Sequence, residues 1–187
     1  MKKSSSTTKS TRTGPLTRES ISATALQLID KQGLEGLSMR RLGRELGVEA
    51  MAIYHHFKNK GELLEAVLER LLDEMEIPPR DRMPALDRLR VMFHSYRQLA
   101  VKHPNAFILL AYRRFNTVYS FTVYEKVLEA MSDLGLDDAL SACYFRMFGY
   151  YMNGAGLAEI ASRQVQPDAS PVKWKKARRH KNSKSGS

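Results

Sequence analysis

The chain has 187 residues and a formal net charge of +10, long enough for one or two domains with a real core. Hydrophobic residues make up 43%, which excludes a wholly disordered chain, and a single cysteine, Cys143, excludes both a disulfide framework and a zinc site of paired thiolates. No apolar run reaches the length of a membrane span, and the lysines after Met1 lead into no apolar stretch, so a soluble cytoplasmic protein with no membrane partner is expected.

Residues 1–14 are Ser, Thr, Lys and Arg without a hydrophobic period and read as a disordered basic arm. Helical periodicity begins at Thr17, which can cap a helix whose apolar face is Ile21, Ala25, Leu28 and Ile29, with Gly33 as its stop. Ser38 caps a second helix with Met39, Leu42 and Leu46 inward and Gly47 at its end. A third segment from Ala50 to Phe57 carries Ile53 and Phe57 four residues apart. Asn59 with Glu62 predicts a capped fourth helix, running through Leu63, Leu64, Val67, Leu68, Leu71, Leu72 and Met75 until Pro78-Pro79.

The remainder repeats the same period. Pro84 suits a first helical position and opens a helix closed by His103-Pro104. A short helix from Asn105 to Arg114 follows, then one from Val118 to Leu134 ending at Gly135. Asp137 opens the longest apolar segment, through Ile160. No alternating strand pattern occurs, so the fold is all-α. The expected organisation is the arm, a unit of short helices over 15–62, a helical body over 63–164, and a basic tail over 165–187.

Charge follows this division. Residues 1–60 carry 11 Lys and Arg against 5 Asp and Glu, residues 61–172 carry 12 against 15, and residues 173–187 carry 7 basic side chains and no acid. A mildly acidic body between basic ends points to a polyanion partner for the ends.

Three short helices broken by glycine, with the turn Leu46-Gly47-Val48, predict a helix-turn-helix in which Gly47 takes the left-handed conformation. Val48, Ile53 and Phe57 would fill the small core. The opposite face offers Ala50, Met51, Tyr54 and His55 to base edges and thymine methyls. Arg40, Arg41 and Arg44 on the preceding helix, with Lys58 and Lys60 after the third segment, would hold phosphates, and the fourth helix's N-terminus would add backbone N–H donors. The adjacent His55 and His56 point in different directions on a helix, so no metal site is expected there.

The run LSMRRLGRELGVEAMAIYHHFKNKGELLEAVL, Leu37 to Leu68, resembles the Tet repressor (TetR) family of transcriptional regulators. Its recognisable core is Gly47-Val48, Ile53-Tyr54-His55-His56-Phe57, Asn59-Lys60 and Leu63-Leu64. The resemblance covers residues 17–70, and the spacing of His103-Pro104 and the later helices is similar to the tetracycline-repressor branch, which implies a three-helix helix-turn-helix DNA-binding domain over 15–62 and a helical effector-binding and dimerisation domain over 63–164. It implies that Ala50, Met51, Tyr54 and His55 meet bases and nearby phosphates, that His56 is a further groove-side contact, that Arg40 reaches DNA and that Lys60 grips a phosphate. Ala50 and Met51 supply few hydrogen bonds, so methyl contacts and water would carry much of the specificity. The positions that hold metal–tetracycline in that branch do not recur, which leaves the effector unnamed.

Residues 91–160 are dense in aromatics and Met with scattered polar groups, which suits either plain core packing or a small-molecule pocket. The pocket candidates are His94, Arg97, His103, Asn105, Phe107, Tyr112, Asn116, Met147 and Tyr151. The helix from 137 to 162 is apolar on too many faces for an ordinary surface helix. It is either the buried centre of the monomer or, as the resemblance implies, a homodimer interface.

After Pro167 the chain ends PVKWKKARRHKNSKSGS, without an apolar period, where the family continues with helices that complete a four-helix dimer bundle. A basic DNA-binding arm and a truncated or frameshifted end both remain open. No nucleophile–base pair, metal spacing or phosphate loop stands out, so neither catalysis nor a cofactor is expected. The expectation is a ligand-responsive repressor, homodimeric on a palindromic double-stranded DNA operator and released by a small-molecule effector. The alternatives are an activator, a regulator without effector, or a non-specific nucleic-acid-binding protein that uses only its tails.

Overall fold

Side-chain caps set the starts of α-helices across the chain, at Thr17, Ser38, Asn59 and Asp137. Thr17 accepts from the Ser20 N–H while Ser20 answers the Thr17 N–H, so the box that starts α1 (Arg18–Gln32) is closed on both sides. Gly33, at φ 75°, ends it and leads through a short 3-10 turn, Leu34–Gly36, to the Ser38 cap of α2 (Met39–Leu46). Then follow α3 (Ala50–Tyr54), α4 (Lys60–Asp73), α5 (Ala85–Lys102), α6 (Phe107–Tyr112), α7 (Val118–Asp133) and α8 (Asp138–Gln164). The computed structural model describes residues 14–112 and 118–164, and among these no strand occurs. The expected basic arm (but for Gly14) and basic tail, and Asn116, lie outside the described residues.

Several expected boundaries shift for local reasons. The third helix stops at Tyr54 rather than Phe57, because the His56 and Phe57 N–H groups both turn back to the Ile53 carbonyl. Pro84 is the cap of α5 and not its first residue, since its ψ of 148° is still extended. At α4 the Asn59 carboxamide caps the Glu62 N–H as expected, but Glu62 reaches back to the Lys58 N–H, one residue beyond the usual box.

One apolar core runs from Ile21, Ala25 and Ile29 of α1 through Leu42, Ile53 and Phe57 to Leu63, Val67 and Leu71 of α4. It continues without a gap into Leu99, Phe107 and Leu110. Helix α4 therefore belongs to both halves of the molecule. A second cluster, Leu89, Met92, Val127, Ala130 and Met131, joins α5 to α7 and is covered by Phe145 and Phe148 of α8. Arg88, almost fully buried beside it, pairs with Asp133 and ties the same two helices.

Helix α8 is not the buried centre of the monomer. Only Ser141 and Gly156 are fully buried along it, while Phe145, Phe148 and Met152 complete its inner face. Gly156 sits where a Cβ would come within 2.5 Å of the Phe107 ring, so only glycine lets α8 approach α6 this closely. The opposite face exposes Leu140, Tyr144, Met147, Tyr151, Gly154 and Ala158, spaced alternately four and three apart. That is the seam period of a coiled coil, presented to solvent.

Candidate nucleic-acid interface and effector cavity

The turn between α2 and α3 is built from two glycines. Gly47, at φ 67° and ψ 31°, is left-handed, which costs glycine nothing and an L side chain about 1–2 kcal/mol. Gly43 faces the next segment so closely that a Cβ would stand 2.8 Å from the Val48 carbonyl oxygen and 3.3 Å from the Ala50 nitrogen. Its own carbonyl accepts from the Val48 N–H at 2.9 Å. The start of α3 is thereby held against the middle of α2.

Ile53 and Phe57 point inward with no exposure, so the other face of α3 must point out. Met51 is 68% and Tyr54 45% exposed, and His55 is exposed beside them. Ala50 is half-buried against Gly43, and His56 is half-buried with its carbonyl accepting from Arg18. Arg40, Arg41, Arg44 and Lys58 are exposed, and none makes an ion pair among the described residues. Lys60 is exposed too, but its ammonium donates to the Leu37 carbonyl at 2.7 Å, which ties the start of α4 to the start of α2.

Sequence reasoning missed Arg18. Its guanidinium lies 4.2 Å over the Phe57 ring, donates to the His56 carbonyl and pairs with Glu62 at 2.8 Å. One side chain of α1 thus fastens the corner between α3 and α4. The Lys58 N–H and then Arg18 hold the Glu62 carboxyl below its usual range, so a negative charge stands at the α4 N-terminus, where the sequence reading expected a phosphate. No spacing in the sequence links Arg18 to partners 38 and 44 residues away.

In the body a cavity of about 230 Å³ opens between α4, α5, α7 and α8. Phe93, Tyr96, Tyr124, Phe145 and Phe148 form much of its wall, with Leu72 and Met75 from the end of α4. Phe93 and Phe148 have ring centroids 5.1 Å apart, and Tyr124 meets Phe145 edge-on at 4.9 Å. The Tyr96 hydroxyl donates to the Asn153 side-chain oxygen at 2.6 Å. Burial pushes both phenols above the usual tyrosine range, so they stay neutral donors.

None of the described pocket candidates lines this cavity. His94 faces a shallow groove with Glu76 and Arg90, and Arg97 is spent on Glu159 at 2.5 Å. Phe107 is core, packed edge-on to Tyr96 at 5.6 Å. Tyr112, Met147 and Tyr151 point to solvent.

His103 and Asn105 form instead a joint between the two halves of the molecule. The imidazole is bracketed by carboxylates, Nδ1 2.7 Å from Asp30 of α1 and Nε2 3.1 Å from Glu74 at the end of α4. Asn105 donates to the Asp30 carbonyl at 2.8 Å, and Lys102 also pairs with Glu74. Partial burial raises the Glu74 carboxyl, but the Lys102 and His103 hydrogen bonds outweigh it, and the net shift is downward from 4.5. A depressed carboxylate stabilises the fold above its unfolded value and loses that stability as pH falls through the folded one. The melting temperature is therefore expected to drop as pH falls below about 4.5, and Glu74→Gln to drop less over the same range. Parallel melting curves for both proteins check this.

Two family models match the chain. One, described as bacterial regulatory proteins of the tetR family, covers residues 21–67, and the other, a tetracyclin repressor-like C-terminal domain, covers residues 82–181. The Tetracycline repressor protein class C of Escherichia coli is 33% identical over 157 residues, covering 79% of this chain and 68% of that protein. The HTH-type transcriptional repressor DrrR1 of Streptomyces coeruleorubidus is 30% identical over 158 residues, covering 81% of this chain and 56% of that one. The chain thus spans little more than half of the DrrR1 length. Among solved structures, the TetR family protein ActR of Streptomyces coelicolor in complex with actinorhodin superposes with a TM-score of 0.73 at 27% identity, covering 81% of this chain and 72% of that one.

Proposed function

The chain belongs to the TetR family of bacterial regulatory proteins, and from that premise we propose that it is a ligand-responsive transcription regulator, a cytoplasmic repressor acting as a homodimer on a pseudo-palindromic operator. The observation that carries this is the outward face of α3. Met51, Tyr54 and His55 project beside a turn that Gly43 and Gly47 keep tight, and exposed Arg40, Arg41, Arg44 and Lys58, which make no ion pair among the described residues, stand on either side. Phosphate contacts from those cations set the position, and the α3 side chains read the bases. Ala50, His56 and Lys60 lie next to them; of Lys60's three donors, one is committed to Leu37.

A single recognition helix of five residues reads too little DNA to bind tightly, so two half-sites are needed. The exposed seam of α8 from Leu140 to Ala158 is the surface on which a second copy packs. The cavity is the effector site. Its wall includes Leu72 and Met75 at one end of α4, while Lys60 at the other end is bonded to the Leu37 carbonyl just ahead of α2. An effector that fits only one position of α4 therefore moves the reading head, and the operator is released by the difference in its affinity for the two states. Residues 15–62 act as the reading head and 63–164 as the sensing body, with α4 shared between them.

Selection from a randomised double-stranded DNA pool, with light scattering on the same protein, tests the reading. Enrichment of a motif with two inverted half-sites by a dimeric protein is the expected result. A pool that shows no enriched sequence at moderate salt overturns it.

A further inference from the structure

We infer that the cavity takes a planar aromatic anion, its rings stacked among the cavity's aromatic side chains and its charged group held by Arg146. This rests on the reading of the cavity as the effector site. Arg146 both lines the cavity and is exposed to solvent, which puts it at the opening. It makes no ion pair among the described residues, and no Asp or Glu is among the described residues of the lining.

Aromatic walls alone would favour a cation or a neutral molecule over an anion, since ring faces attract positive charge. The guanidinium decides against the cation by repulsion and favours an anion through a charge-assisted bond next to apolar surface, where water competes poorly. The other polar groups among the described residues of the lining, Tyr96, Tyr124, Tyr150 and Asn153, are neutral. Tyr96 spends its proton on Asn153, whose amide N–H groups then remain as neutral donors toward a carbonyl or ether oxygen of the ligand. Tilted and edge-on ring pairs at 4.9–5.1 Å leave ring faces open to a fused-ring system.

The test uses two fluorescent probes of nearly the same shape, 8-anilinonaphthalene-1-sulfonate and the uncharged N-phenyl-1-naphthylamine, titrated into the full chain. The sulfonate is expected to bind about tenfold more tightly than the neutral probe, and Arg146→Gln to erase that preference while leaving the neutral probe unchanged. Gly149→Phe assigns the signal to the cavity: Gly149 lines it, and a Cβ there meets nothing within 4 Å, so the ring fills the space without disturbing the core. Both probes are expected to lose binding in that variant. Equal affinities in the native chain, or a preference that survives Arg146→Gln, overturn the anion assignment and leave the cavity reading intact. Binding of both probes undiminished by Gly149→Phe, or absent from the native chain, overturns the cavity reading itself.

Discussion

Tyr54→Ala is expected to weaken specific operator binding by about 2–6 kcal/mol, about 1–3 kcal/mol at each of two half-sites. Tyr54 is 45% exposed and its ring lies on the open face of α3, so truncation leaves the core formed by Ile53 and Phe57 untouched. The melting temperature should stay within about 1–2 °C of the native value, as for an ordinary exposed substitution. Binding to random DNA should change little, because the phosphate contacts proposed for Arg40, Arg41, Arg44 and Lys58 would be independent of sequence. Fluorescence anisotropy on the selected operator and on a scrambled duplex separates these two quantities. A uniform loss on both duplexes would make Tyr54 a backbone contact, and no loss on either would remove α3 from the groove.

His103→Ala is expected to cost about 2–3 kcal/mol of stability, a fall of about 5–10 °C in melting temperature. The ring is only 8% exposed, and its removal deprives two carboxylates of their partner at once. Asp30 has the more to lose, since its other oxygen is already buried without a hydrogen bond. Glu74 keeps Lys102 and is partly wetted, which holds the figure below that of a fully buried pair. His103→Gln retains one bond and should lose about half as much. Thermal melts of the three proteins decide it. A change below about 0.5 kcal/mol would mean that water replaces the imidazole freely and that the joint does not hold the head to the body.

The reading head was legible from sequence because its determinants are local. Ser38 caps α2 three residues from Arg41, Asn59 caps α4 three residues from Glu62, and Gly47 supplies a left-handed residue that neighbours cannot. With Ile53 and Phe57 committed inward, the helical period alone assigned Met51, Tyr54 and His55 to the open face. Arg18 escaped because its partners, His56 and Glu62, lie 38 and 44 residues away, and no period relates them.

The body divides in the same way. Composition predicted an aromatic cavity, and the chain has one, but the chosen lining residues lie elsewhere. A histidine on a helix carries no mark of which neighbour it meets. Only the fold brings His103 to Asp30, 73 residues back, and so makes it a joint between helices instead of a ligand contact. On α8, apolar residues on several faces allowed both a buried and an interface reading, and the resemblance favoured the interface. Packing against α5, α6 and α7 settled which face turns in, because Gly156 alone can lie against Phe107, and this turned Tyr144, Met147 and Tyr151 outward. Helix positions, caps and the reading face follow from hydrogen bonds and periods a few residues long, which one sequence carries in full. The cavity wall, the polar joint and the exposed seam depend on contacts between helices far apart in the chain, and those exist only once the tertiary packing has chosen among the faces each helix offers.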